Sequence, residues 1–239
     1  MSNPKTSPFR NRGFIAAAIV VGVIVLAALI VLVTSLLGGS SVETPPTSTP
    51  TSPPRDSPSA QPIEDPSVCG LEGFETENTL NSAPDTEWEL VGTVAAPTKP
   101  DAGPASINDG FRSCYAHTAE GALFMAANFI AMGSDSTLGP RLIELVAPGP
   151  GRDKLAGELG GSSSSMRAQI AGYKIGSYSG DAATVDVVMN YSDGSLVSIP
   201  LKLLWVEGDW KIEVTPSGEF PLAPAQIENL GGYTPWSGA

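Results

Sequence analysis

The residues of this 239-residue chain whose types could act together are two cysteines, Cys69 and Cys114, and the sole histidine, His117, three positions after the second cysteine. A cysteine beside a histidine can serve as a nucleophile when its thiolate is free. The same three side chains could contribute to a metal site, but zinc takes about four ligands and this set supplies three. Both cysteines follow a long apolar segment, on the side where thiols can oxidise, so a Cys69–Cys114 disulfide is the expected state. A disulfided sulfur does not attack, and closing this loop is worth about 4 kcal/mol in the chain-entropy picture. Other catalytic patterns are missing. Gly149-Pro150-Gly151-Arg152 has neither the Lys-Ser/Thr of a phosphate-binding loop nor a strand before it. Neither G-x-S-x-G nor H-E-x-x-H occurs. The expectation is a protein that is not an enzyme and has no catalytic residues, cofactor or metal. Asn190-Tyr191-Ser192 matches a glycosylation sequon, but it falls at a strand end, where chance is the default. The aromatics in Tyr233-Thr234-Pro235-Trp236 stand out in a Gly/Pro-rich tail. They either dock on the protein's own surface or offer a partner an anchor, which makes Tyr233 and Trp236 candidate partner contacts.

The elements that must position these residues begin with residues 14–37, an uncharged apolar run containing only Thr34 and Ser35 as weakly polar residues. As a helix rising about 1.5 Å per residue it would reach roughly 36 Å, enough to cross a hydrocarbon core about 30 Å thick. Residues 1–13 carry Lys5, Arg10 and Arg12 and no acid, which favours a cytoplasmic N-terminus and an exported remainder. The run is too long for a signal-peptide core of about 7–15 residues, so the reading is a retained single-pass anchor in the plasma membrane. Beyond it lie ten basic and all 25 acidic residues, a net −15. That charge repels phosphate backbones and disfavours nucleic acid as a partner. Residues 38–66 are almost entirely Pro, Ser, Thr and Gly and are expected to form a disordered linker.

Residues 67–239 are read as one exported domain. A short strand around Trp88 and Leu90 leads into a Pro-rich loop. Thr118 is placed as the N-cap of a helix whose Ala119, Ala122, Leu123, Ala126, Ala127 and Ile130 form one core-facing stripe. A second helix is expected over residues 139–146, with Pro140 in its first turn, and residues 160–165 as a flexible loop. The period then changes to two. Strands are expected over residues 170–179, 183–191, 197–205 and 210–214, with Asp193-Gly194 and Glu207-Gly208-Asp209 as turns. Val185, Val187, Met189 and Tyr191 share one face, with Asp186 and Asn190 on the other. The expected class is α+β: helices packed on a curved antiparallel sheet of about four strands.

Helices followed by a meander that ends Leu204-Trp205-Val206-Glu207-Gly208-Asp209-Trp210-Lys211-Ile212 resemble the nuclear transport factor 2-like (cystatin-like cone) fold. With the anchor and linker, the chain is similar in layout to actinobacterial single-pass membrane proteins with an exported domain of this kind, and to TcpC/VirB-type scaffold subunits of conjugation and secretion. Enzymes of that fold carry acids, His or Tyr inside the cone. The corresponding positions here would be Tyr173, Asp186 and Tyr191, with Asp186 and Tyr191 on opposite faces and Asp186 solvated. The resemblance implies a non-enzymatic extracytoplasmic scaffold or accessory subunit of a cell-envelope assembly with envelope protein partners. A small-ligand-binding exported module is the alternative, ahead of an exported enzyme.

Overall fold

The computed structural model describes residues 67–156 and 167–238. After an irregular opening the chain makes two antiparallel hairpins: β1 (Glu87–Val91) with β2 (Val94–Thr98), then β3 (Ser106–Asn108) with β4 (Phe111–Ser113). Helix α1 (Ala119–Gly133) follows. Thr118 caps it from an extended conformation, its Oγ1 accepting the Gly121 N–H at 3.0 Å, and Glu120 puts negative charge on the first turn. Gly121 is required by closeness, since a Cβ there would lie 2.0 Å from the Ala116 carbonyl oxygen. The helix does not bury one stripe, as its spacing suggested. Twelve of its fifteen residues are buried, because it packs on the main sheet through β5, β6 and β8 and also touches β2 and β4. A helix covered all round needs apolar residues all round. Its one buried polar side chain, Asn128, is accommodated by donating to the carbonyls of Pro97 and Phe124.

The main sheet is built from β5 (Ala168–Ser179), β6 (Ala182–Tyr191), β7 (Leu196–Val206) and β8 (Asp209–Ile212), antiparallel in sequence order. Val185, Val187, Met189, Leu201, Leu203, Trp205, Trp210 and Ile212 are buried on it. Two short strands then enlarge it. β9 (Ala225–Ile227) pairs with the first residues of β7, and β10 (Thr234–Pro235) pairs with β5. The C-terminal segment therefore crosses from one side of the sheet to the other, and β6 lies between its two attachment points. Val188, on the face opposite Val187, is fully buried.

These findings correct the expected α+β class of helices on about four strands. Among the described residues strand clearly outweighs helix, with one six-stranded sheet and two satellite hairpins around a single long helix. Residues 139–146 do not make a second α-helix. Gly139–Leu145 is a 3₁₀ helix whose N-cap, Leu138, supplies no side-chain bond. Val146 then bridges Ile212 of β8, and the Ala147 N–H donates to the Ile212 carbonyl at 2.9 Å. Extended pairing begins before another helical turn can form. A further short helix, α2 (Pro150–Leu155), follows. The anchor expected over residues 14–37, the tail 1–13, the linker 38–66 and the loop 160–165 lie outside the described residues. Among the described residues no helix is long and apolar enough to cross a membrane.

Candidate functional site

At the β8 end of the sheet, Cys69 and Cys114 form the expected disulfide. The Val68 N–H donates to the Gly208 carbonyl at 2.8 Å in the β7–β8 turn, where Glu207 and Gly208 both have positive φ. Asp209 holds this region together. Its carboxylate accepts the N–H groups of Cys114, Tyr115 and Trp210, each at 2.9 Å. Burial raises the Asp209 pKa above its ordinary value, and these three donors together with Lys211 partly offset the rise. Burial also pushes the Tyr115 phenol well up, with the charge of Asp209 adding to it. His117 is not beside a free thiol. Its ring stacks on Trp205 with centroids 3.8 Å apart at 8°, and meets Phe74 and Trp210 edge-on. Its Nε2 hydrogen-bonds the Gly180 carbonyl. Among the described residues, no group of three His, Cys, Asp or Glu side chains is arranged to hold a metal.

The two aromatics of the C-terminal tail have different surroundings. Trp236 is buried at 5 % exposure among Trp88, Phe124 and Tyr173, and its Nε1–H donates to Thr86 Oγ1 at 3.0 Å. It packs into the protein's own core. Tyr233 is half-buried, and its hydroxyl donates to Asp186 Oδ2 at 2.8 Å. Asp186 also accepts from the Ser198 hydroxyl, so it is engaged by the tail and not simply solvated. Tyr173 donates its hydroxyl to the Ser82 carbonyl, Tyr191 is half-buried and Asn190 is exposed at the end of β6. The structure brings Asp186 and Tyr233 together, but does not gather Tyr173, Asp186 and Tyr191 into one cavity.

The feature most suited to receiving another molecule lies along β7. β8 covers residues Leu203–Val206 of that strand and β9 covers Leu196–Ser198. Between them the edge opens into a groove of about 200 Å³ lined by Phe129, Ile130, Leu142, Ile199, Leu201 and Phe220, among others. Pro200 sits at the centre of the gap. The Glu213 N–H donates to the Lys202 carbonyl at 2.8 Å, so the main-chain groups of Lys202 point to this edge. By the two-residue repeat those of Pro200 do as well, and proline has no N–H to offer. Phe220, 40 % exposed, lies against Phe129 with centroids 6.3 Å apart and forms one lip.

Sequence periodicity marked Ile130 as helix stripe and Ile199 and Leu201 as one strand face, but did not bring them together. Phe220, Leu222 and Pro224 carry no periodic signal. The nearest clue was Pro200 in an otherwise regular strand, since proline within a sheet marks an edge.

A family model described as "Domain of unknown function (DUF8175)" matches residues 48–235 of the chain. No curated protein and no solved structure matches it. With 188 of its 239 residues matched, the chain belongs to this domain family of unknown function.

Proposed function

We propose that this chain is a membrane-anchored, extracytoplasmic scaffold or accessory subunit of a cell-envelope assembly, without catalytic activity, and that it docks on a partner through the groove beside β7. The observation that carries this reading is the groove: an open apolar surface at an interrupted sheet edge, on a domain whose interior is filled by large side chains such as Trp210, Tyr115 and Phe124. Exposed apolar concavities of this kind mark interaction sites. The basic tail and uncharged run at residues 14–37 support an N-in, C-out arrangement. Anchoring would raise the effective concentration of the groove for other membrane proteins, so that a weak contact suffices. The layout resemblance to scaffold subunits of conjugation and secretion points the same way. A small-ligand module is the second reading, and the volume counts against it, because ligand pockets usually enclose about 300–1,000 Å³.

Photo-crosslinking in cells tests the proposal. With a photoreactive residue at Ile130 or Phe220 of the full-length protein, discrete adducts with a membrane-associated protein are expected, and they should be lost when residues 14–37 are deleted. Adducts that form equally well without the anchor, or none from a surface-displayed chain, would refute it. Protease added to wall-stripped cells should digest residues 38–239 and spare the tail; a protected domain would overturn the topology.

A further inference from the structure

We infer that the groove takes one apolar side chain, aromatic or leucine, presented by a protein segment rich in lysine and arginine. The inference rests on the docking reading above and specifies its partner by three features.

The first is size. About 200 Å³ is less than an ordinary ligand pocket and suits one or two side chains. Such a cleft is what an interface anchor residue fills.

The second is the edge itself. Partners that add a strand to a sheet need alternating donors and acceptors along it. In this gap the residue whose main chain faces outward is Pro200, which has no donor. An added strand would lose its central bond, so recognition falls to side chains.

The third is charge. The described residues comprise twenty acidic and nine basic side chains, a net −11. Of the basic ones, Lys99, Arg112 and Arg141 are already in ion pairs with Glu120, Glu89 and Glu144. Asp135 and Glu219 lie within two residues of the lining positions Gly133 and Phe220, and Glu213 is paired across from Lys202, the one cation next to Leu201. A field of this sign accelerates and orients the approach of basic segments and repels acidic ones.

The test uses the full-length protein in phosphatidylcholine nanodiscs, whose lipids carry no net charge, and fluorescence anisotropy of three labelled nine-residue peptides. One has phenylalanine flanked on each side by four lysines, the second has alanine at the centre, and the third has glutamates in place of the lysines. The first is expected to bind at least tenfold more tightly than either of the others, and to weaken as salt rises from about 50 to 500 mM. A plug variant, Gly133→Leu, should reduce its binding at least tenfold. A Cβ at Gly133 meets only Leu142 Cδ1, at 3.8 Å, so the added side chain enters the groove without displacing backbone. Ile130→Gln is the second variant in case the plug disturbs folding, and the melting transition of each is recorded. Equal binding of the alanine or glutamate peptide, or plug-insensitive binding by a folded variant, overturns the inference. Decanoate competing as strongly as the phenylalanine peptide would make the occupant a small apolar molecule, and self-association abolished by Gly133→Leu would make it a second copy; either result also overturns it. If groove crosslinks form in cells while the lysine peptide fails, the partner chemistry is wrong and the docking reading stands.

Discussion

The two ends of strand β7 solve the same edge problem in opposite ways. At the Leu203–Val206 end, β8 pairs with the strand, the disulfide lies close by, and Asp209 satisfies three main-chain donors at once. At the other end a three-residue strand covers only Leu196–Ser198, and the gap after it is lined by apolar side chains with a proline at its centre. The comparison teaches that an edge can stay open without inviting strand addition when its donor has been removed. The closed end supplies stability, and the open end leaves room for recognition.

This contrast can be broken most forcefully at Asp209. Asp209→Ala orphans three buried N–H groups, each costing about 1–3 kcal/mol, so urea denaturation should show a loss on the order of 5 kcal/mol. A loss below about 1 kcal/mol would show that the closed end is not held as described. Removing the disulfide with Cys69→Ala should cost about 4 kcal/mol, and reductant should lower wild type toward the variant while leaving the variant unchanged. If native protein titrates two free thiols, the staple is absent.

A smaller effect is expected from pH. The folded-state pKa of Asp209 is raised above its ordinary value of 3.8, so the folded protein holds this proton more tightly than the unfolded chain. Its contribution to stability is fully present below the ordinary value and is lost as pH rises through the raised one. Wild type should therefore gain stability relative to Asp209→Asn as pH falls through that window. The exposed carboxyls of Asp135 and Asp193 act in the opposite direction, their pKa values lowered chiefly by hydrogen bonds from Thr137 and Ser195. A constant difference between wild type and Asp209→Asn across the window would remove Asp209 from the account. Tyr233→Phe deletes the bond to Asp186 and should cost about 1 kcal/mol, measured by thermal melting; no change would mean that β10 pairing and Trp236 hold the tail without it. The smallest effect belongs to the open end. Gly133→Ala should raise stability by at most about 1 kcal/mol through helix propensity, and a marked loss there would show that the groove is more tightly built than its lining implies.

What could be read from the residues follows from how local each signal is. Strands β6, β7 and β8 carry a two-residue alternation, which register shifts interrupt in β5, and Thr118 carries the chemistry of a cap, so these features are legible one segment at a time. The disulfide is legible from there being only two cysteines, both after the apolar run. The all-round burial of α1 is harder to read: its alanines and methionines fit a stripe equally well, and the hairpin that covers its second side has Pro97 in a short strand. β9 and β10 are three and two residues long, too short for any period. They form because Ala225–Ile227 meets an unfilled edge and because Trp236 finds a socket far away in sequence. The groove was invisible for the same reason. Its walls come from α1, the 3₁₀ helix, β7 and the segment before β9, each contributing at most a few apolar residues.

The position of the disulfide has a mechanical consequence. Cys69 stands ahead of both satellite hairpins, and its bond leads to Cys114, 45 positions further on and four residues before the helix cap. A pull on the chain ahead of residue 67 therefore passes through sulfur directly into the centre of the fold. The segment between the two cysteines, with both satellite hairpins, lies off the load path. A domain tethered from its N-terminal side could thus bear tension with that segment slack, and β1 to β4 would keep their places over the helix while the backbone upstream is drawn tight.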